Sequence, residues 1–143
     1  MNKPKQLTFP WNKVNKSSLE GFFTSQENSH LLSLLKDSDF LDDLFIYGTK
    51  ESGKTFLLQA MCNLYSSMSK SSLYIPLKKV MNYGVEIFES LENIDLICVD
   101  GIEEVISRIE WEKAIFNLIN KALISESRLI LTSSKDLKSL NFS

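Results

Sequence analysis

Short, nearly unbroken apolar runs alternate along this chain with segments whose apolar residues recur every three to four positions. An unbroken apolar run is typical of a strand buried on both faces, and the longer spacing is typical of an amphipathic helix. The runs predict four strands, at residues 44–47, 73–76, 94–100 and 128–134. The spaced segments predict helices at residues 26–36, 54–68, 85–91 and 107–125.

Strands that alternate with helices predict an α/β fold, a parallel sheet with helices on both faces. Ligands bind such sheets beyond the carboxyl ends of the strands. Three of the four ends carry polar residues here: the segment after residue 47, Asp100, and residues 132–134. We therefore expect a ligand site at this rim.

The longest predicted helix, at residues 107–125, has a wide apolar face that we expect to pack in the core. This face consists of Trp111, Ile115, Leu118 and Ala122, and of the neighbouring Ala114, Ile119 and Leu123.

The segment after the first strand reads Gly-x-x-x-x-Gly-Lys-Thr, the phosphate-binding P-loop pattern. Its glycines allow successive N–H groups to converge on a phosphate, and the following helix directs its positive end to the same point. Lys54 is expected to reach the β- and γ-phosphates, and the Thr55 hydroxyl to hold Mg²⁺. The predicted nucleotide-binding residues of the loop are Gly48, Thr49, Lys50, Glu51, Ser52, Gly53, Lys54 and Thr55.

The third strand supplies the second half of this site, because its apolar run ends in Asp100. An acid in that position holds Mg²⁺ in P-loop proteins, opposite the hydroxyl of the loop. Thr55 and Asp100 are therefore the predicted metal residues.

Turnover of the nucleotide is expected to be weak at most, and no catalytic residue is assigned. In ATPases of this type a second acid follows the first, whereas Gly101 stands there in this chain. Glu103 and Glu104 are expected to point elsewhere if a turn begins at Gly101. Arg108 precedes the long helix and Arg128 opens a strand at the end away from the nucleotide, so neither is placed to stabilise a transition state.

Composition narrows the class of protein. The 143 residues suit one domain, and the net charge of −2 gives no basic field for nucleic acid or for an anionic membrane. Cys62 and Cys98 lie in apolar patterns and are interpreted as buried hydrophobes, and His30 has no neighbouring metal ligands. Without a signal peptide or a long apolar span, a cytoplasmic location is expected.

Residues 1–18 are interpreted as an extended N-terminal arm, and residues 19–143 as the nucleotide-binding core. The arm contains two prolines and an unusually apolar segment at residues 6–11. Phe9 and Trp11 either pack back onto the domain or belong to a short motif displayed for a partner.

The chain resembles the AAA+ domain of the bacterial replication initiator DnaA, and more closely still the regulatory paralogues of the Hda type. The resemblance covers nearly all of residues 5–134. It is carried by residues 44–48, 53–60, 74–77, 96–103, 111–118 and 128–132. It implies an AAA+-type nucleotide-binding fold with ADP or ATP and Mg²⁺, and it implies that Thr132 and Ser134 sense the γ-phosphate. It also implies that residues 19–23 lie near the adenine.

The resemblance gives the N-terminal arm a function. Hda-like proteins bind the β sliding clamp through an N-terminal peptide, and here Gln6 would form hydrogen bonds while Leu7 and Phe9 fill an apolar pocket. Clamp-bound, ADP-loaded members stimulate ATP hydrolysis by DnaA. The expected partners are therefore the clamp and the initiator, with nucleoid association through the clamp and no direct contact with nucleic acid or membrane.

This sequence departs from the family pattern after the fourth strand, where a fifth strand, an arginine finger and a helical lid are expected. In the AAA+ strand order, loss of the fifth strand would leave residues 44–47 at a sheet edge. The chain is then either truncated or a reduced form that works by contact. Two alternatives stay open: a small P-loop ATPase or kinase, and an initiator fragment or loading factor that binds nucleic acid.

Overall fold

A computed structural model describes residues 43–48, 53–89, 91 and 93–135. Along these residues the elements are β1 (Leu44–Tyr47), α1 (Lys54–Ser67), β2 (Ser72–Pro76), α2 (Leu77–Val80), β3 (Leu96–Asp100), α3 (Ile109–Ile124) and β4 (Arg128–Ser133). Two 3₁₀ segments, Val85–Phe88 and Ile102–Val105, lie between them. The predicted N-terminal arm and the predicted helix at residues 26–36 lie outside the described residues.

The four strands form one parallel sheet in the order β1–β4–β3–β2. β1 is at one edge of the sheet that the described residues form, as the strand order implied by the resemblance predicted. In register, Tyr47 lies beside Ser133 and Pro76 lies beside Asp100. All the strand ends that carry polar residues therefore meet at one rim.

Helices cover both faces of this sheet, which confirms the predicted fold. Successive side chains of a strand point to opposite faces. One set packs with α1, namely Tyr74, Leu96, Cys98 and Ile130. The other set packs with α3 and the 3₁₀ segments, namely Leu73, Ile75, Ile97, Val99, Leu129 and Leu131. On that second face Phe88 and Trp111 meet edge to face, with ring centroids 5.9 Å apart.

Helix burial matches the sequence prediction on its main faces and departs from it at the margins. The predicted face of α3 is buried at Trp111, Ile115, Leu118 and Ala122. Leu123, however, is 71% exposed, so its assignment to the core was wrong. Arg128 opens β4 as expected and is fully buried. Among the described residues, no helix has the length and apolarity needed to span a membrane.

Two predicted elements differ in extent from the structure. β3 begins at Leu96 and not at residue 94, and Oδ2 of Asp95 accepts a hydrogen bond from the Ser71 N–H, 2.9 Å away. The predicted helix at residues 85–91 is a single 3₁₀ turn, Val85–Phe88. The one-turn helix Leu77–Val80, which follows Pro76, was not predicted from the sequence.

Candidate functional site

The loop after β1 and the start of α1 form the first wall of the site. Gly53 adopts a left-handed conformation with φ 88°, a region that favours glycine, directly before the helix begins at Lys54. At the other end of the loop, the Gly48 N–H donates to the Ser133 carbonyl at 3.2 Å. Lys54 Nζ donates to the Gly48 carbonyl at 2.6 Å, so this side chain bridges the two ends of the loop. The intervening residues Thr49, Lys50, Glu51 and Ser52 lie outside the described residues.

The charge of Lys54 faces the carboxylates of the site. Partial burial lowers the pKa of Lys54, because it disfavours the charged amine. The negative charges of Glu103 and then Asp100 act in the opposite direction and favour the ammonium form. Lys54 is thus a cation next to two acids, in the position where the loop pattern requires one.

Asp100, at the end of β3, accepts hydrogen bonds from three hydroxyl groups. Its Oδ2 accepts from Thr55 Oγ1 at 2.6 Å and from the Tyr74 hydroxyl at 2.8 Å. Its Oδ1 accepts from Thr132 Oγ1 at 2.6 Å. Thr132 in turn accepts from the Gly101 N–H at 3.2 Å. Both carboxylate oxygens are therefore held in fixed directions.

The alternation of side chains along the strands explains how these hydroxyls reach Asp100. Asp100 follows Cys98 by two residues and Thr132 follows Ile130 by two, so both share the sheet face that α1 covers. Cys98 pairs with Ile130, which places Asp100 beside Thr132 at the rim. Tyr74 pairs with Cys98 on the same face, and its long side chain reaches one step along β3 to the carboxylate.

The donor set fits Mg²⁺, which prefers hard oxygen ligands and keeps only one or two protein ligands when substrate phosphates supply the rest. The Thr55 hydroxyl and the Asp100 carboxylate already lie 2.6 Å apart, as the sequence predicted for a shared cation site. No cluster of three or more His, Cys, Asp or Glu side chains that could bind a metal occurs within the described part of the chain. Phosphate oxygens of a bound nucleotide would supply further ligands to a cation held by Thr55 and Asp100.

The two residues proposed as γ-phosphate sensors both contact acids of this chain. The Thr132 hydroxyl is buried and holds Asp100, as described above. The Ser134 N–H donates to Oε1 of Glu103 at 2.9 Å. The expectation that Glu103 and Glu104 point elsewhere was wrong, because both residues lie in the wall of the cavity at this rim. Gly101 takes φ 88°, which turns the chain so that the 3₁₀ segment returns Glu103 towards the end of β4.

These residues line one open cavity of about 200 Å³ at the carboxyl rim of the sheet. Its walls include the predicted residues Lys54, Thr55, Asp100, Thr132 and Ser134. They also include residues that sequence reasoning did not assign to the site, namely Pro76, Lys78, Gly101, Glu103 and Glu104.

Sequence reasoning also missed Tyr74, which it treated as part of an apolar strand. Its spacing carried a usable signal, since Tyr74 is the residue with a polar tip in an otherwise apolar run that ends at the rim. The partner-binding candidates Gln6, Leu7 and Phe9 lie outside the described residues. Arg108 and Arg128 are not among the lining residues of the cavity.

Comparison with known proteins agrees with this geometry. A model of the family described as the bacterial DnaA ATPase domain matches residues 33–142. A protein of Haemophilus influenzae described as uncharacterized is 38% identical over 132 residues, which are 91% of this chain and 57% of that protein. The chain therefore spans little more than half the length of this curated relative.

Solved structures share the fold. AMPPCP-bound DnaA from Aquifex aeolicus superposes with a TM-score of 0.77 at 22% identity, over 91% of this chain and 45% of that one. Domain III of DnaA from Thermotoga maritima superposes with a TM-score of 0.76 at 22% identity, over 92% of this chain and 62% of that one. A structure described as DnaI superposes with a TM-score of 0.72 at 16% identity, over 90% of this chain and 77% of that one.

Proposed function

The chain belongs to the family of the bacterial DnaA ATPase domain, and on this premise we propose that it binds ADP or ATP with Mg²⁺ and regulates the initiation of chromosomal replication. The proposed partners are the β sliding clamp and the DnaA initiator. The observation that carries the nucleotide part is the 2.6 Å hydrogen bond between Thr55 and Asp100 at the head of α1. It joins the two halves of a P-loop cation site that lie 45 residues apart in the sequence.

Four further features support nucleotide binding. Lys54 is a cation between the ends of the loop, and Gly53 has the left-handed backbone that the loop needs. The cavity they line lies beyond the carboxyl ends of the strands, where α/β folds bind ligands. A DnaA structure of the same fold, from Aquifex aeolicus, is described as bound to AMPPCP, an adenine nucleotide analogue.

The regulatory part of the proposal rests on the resemblance to Hda-like proteins. Gln6, Leu7 and Phe9 match the peptide by which such proteins bind the clamp. The position after Asp100, held by Gly101, lacks the acid that would activate a water, so this chain acts through contact and not through its own turnover. Clamp binding would place the protein in the cytoplasm near the nucleoid without direct contact with DNA, which suits its net charge of −2.

Binding of the chain to the sliding clamp in the presence of ADP tests the partner assignment. We expect binding that is lost in the double variant Gln6→Ala plus Leu7→Ala and kept in Thr8→Ala, which changes a position between the anchoring residues. Equal binding by all three proteins would show that the contact lies elsewhere. No binding by the unaltered chain would contradict the clamp partnership and leave the nucleotide assignment intact.

Titration with ADP and Mg²⁺ tests the nucleotide assignment separately. Lys54→Ala is expected to weaken binding at least roughly tenfold, because a charge-assisted contact to phosphate is lost. Lys79→Ala removes the same charge from an exposed position in α2 and should leave binding unchanged. Steady ATP hydrolysis that disappears in Lys54→Ala would contradict the proposed weak turnover and favour a P-loop ATPase.

The alternative of an initiator fragment or loading factor that binds nucleic acid has one observation in its favour, because a replication initiator DnaA of similar fold is described as bound to AMPPCP and single-stranded DNA. Such a protein is expected to bind single-stranded DNA with an affinity that falls steeply with salt. Salt-dependent DNA binding together with no clamp binding would favour that alternative over the regulator.

A further inference from the structure

Glu103 places a carboxylate at the end of β4, from which the family resemblance implies that a γ-phosphate is recognised. It lines the same cavity as Lys54, Thr55 and Asp100. Its Oε1 accepts the Ser134 N–H at 2.9 Å, and that N–H is one of the polar groups at the end of β4. Burial lowers the pKa of Lys54, and the negative charges of Glu103 and then of Asp100 act against that lowering.

The polar groups at the end of β4 are thus engaged by this chain's own acids. The Thr132 hydroxyl donates to Asp100, and the Ser134 N–H donates to Glu103. A phosphate that used the Ser134 N–H would first have to displace the Glu103 carboxylate. It would also bring a further negative charge close to that carboxylate, in a site that is only partly solvated.

We propose that Glu103 selects the nucleotide state of this site, favouring a nucleoside diphosphate over a nucleoside triphosphate. This inference rests on the proposed nucleotide-binding function. A diphosphate leaves the Glu103–Ser134 hydrogen bond in place and keeps Lys54 neutralised by Glu103 and by its own phosphates. A triphosphate breaks that hydrogen bond and adds repulsion, so its affinity is lowered selectively.

The local backbone maintains this arrangement. Gly101 adopts its left-handed conformation directly after Asp100, and the 3₁₀ turn that follows closes with a hydrogen bond of 2.9 Å from the Glu104 N–H to the Gly101 carbonyl. Ile102 and Val105 of this turn are buried in the core. The turn is therefore anchored on both sides of Glu103, and the carboxylate is held at the rim instead of moving freely in solvent.

The ratio of the dissociation constants for AMPPCP and ADP, both measured with Mg²⁺, tests the proposal. In the unaltered chain ADP is expected to bind more tightly. Glu103→Gln keeps the acceptor for Ser134 and removes the charge, and it should lower the ratio roughly tenfold, chiefly by tightening AMPPCP. Glu110→Gln removes the same charge from an exposed position in the first turn of α3, away from the residues that line the cavity, and it should leave the ratio unchanged.

Each result has a defined meaning. Equal affinity of the unaltered chain for the two nucleotides, or an unchanged ratio in Glu103→Gln, overturns the selection by Glu103 while leaving nucleotide binding established. Equal shifts in both glutamine variants would show a general charge effect and would also overturn it. If Glu103→Gln abolishes any ATP hydrolysis and leaves the ratio of dissociation constants unchanged, Glu103 acts as a general base and does not select the nucleotide. An unaltered chain that binds neither nucleotide overturns the proposed function as well.

Glu103→Ala extends the test, because it removes both the charge and the acceptor. It should shift the ratio in the same direction as Glu103→Gln and at least as far. Circular dichroism of each variant checks that the fold is retained, which is expected because the Glu103 side chain is only half-buried at the surface of the turn.

Discussion

The Tyr74 hydroxyl donates a hydrogen bond to Oδ2 of Asp100 across 2.8 Å, from β2 to the end of β3. Tyr74 is 6% exposed, and its ring packs in the cluster beneath α1. A buried hydroxyl that donates to a carboxylate both satisfies its own polar atom and fixes the direction of the acceptor. Tyr74 is therefore a positioning residue for Asp100, the proposed Mg²⁺-binding acid.

Replacing this tyrosine should weaken the response of nucleotide binding to Mg²⁺. In Tyr74→Phe, the Mg²⁺ concentration that half-maximally tightens ADP binding is expected to rise about tenfold, because groups that orient a metal-binding carboxylate have effects of this size. Binding of ADP in EDTA should not change. Tyr65→Phe, at another buried tyrosine of the same cluster, is the matched control and should leave both titrations unaltered. If ADP binding by Tyr74→Phe is weakened equally with Mg²⁺ and in EDTA, Tyr74 has only a structural role.

At alkaline pH, the free energy of unfolding should depend on the ionisation of the Tyr74 hydroxyl. Burial, and then the charge and hydrogen bond of Asp100, raise the pKa of Tyr74 well above its ordinary value of 10.0. Above pH 10 the unfolded chain loses this proton and the folded chain keeps it. Stability from this group is therefore complete below pH 10 and falls by ~1.4 kcal/mol per pH unit above it.

Denaturant unfolding of the unaltered chain and of Tyr74→Phe between pH 9 and pH 11.5 measures this effect. Their difference in unfolding free energy should be constant up to pH 10 and should then shrink with rising pH, since phenylalanine has no proton to lose. A difference that stays constant through pH 11.5 would contradict a raised pKa for Tyr74.

Gly101 is expected to resist substitution because of its backbone and not because of space. It has φ 88°, and a Cβ there would meet its nearest neighbours at 3.6 and 3.7 Å, which is ordinary contact. Gly101→Ala should therefore cost about 1–2 kcal/mol of stability, and Gly101→Asn less, because asparagine tolerates left-handed backbone. Equal losses of unfolding free energy in the two variants, measured by chemical denaturation, would show that contact with the added Cβ, and not the backbone conformation, sets the cost.

Two leucines of α3 test which of its apolar residues belong to the core. Leu118 is 3% exposed and Leu123 is 71% exposed. Leu118→Ala should reduce the unfolding free energy by about 2–5 kcal/mol, since it removes buried methyl groups and leaves a cavity. Leu123→Ala should change it by less than about 0.5 kcal/mol. A comparable loss in both variants would mean that Leu123 is covered in solution.

Features encoded by residues close together in the chain could be predicted from the sequence. The apolar runs located all four strands, and the P-loop pattern placed Gly53, Lys54 and Thr55 correctly at the head of α1. The run ending in Asp100 identified the acid that meets Thr55. These signals work because strand burial, the left-handed glycine and the strand-ending acid each depend on a few neighbouring residues.

Only the tertiary structure decided which side chains meet at the rim. Tyr74 reaches Asp100 across 26 residues of sequence, and Glu103 reaches the Ser134 N–H across 31. The first contact depends on the register between β2 and β3, and the second on the reversal at Gly101. The apolar pattern of a strand fixes that it is buried, but it does not fix its neighbour or its register. Those are chosen by the packing of the whole sheet between α1 and α3.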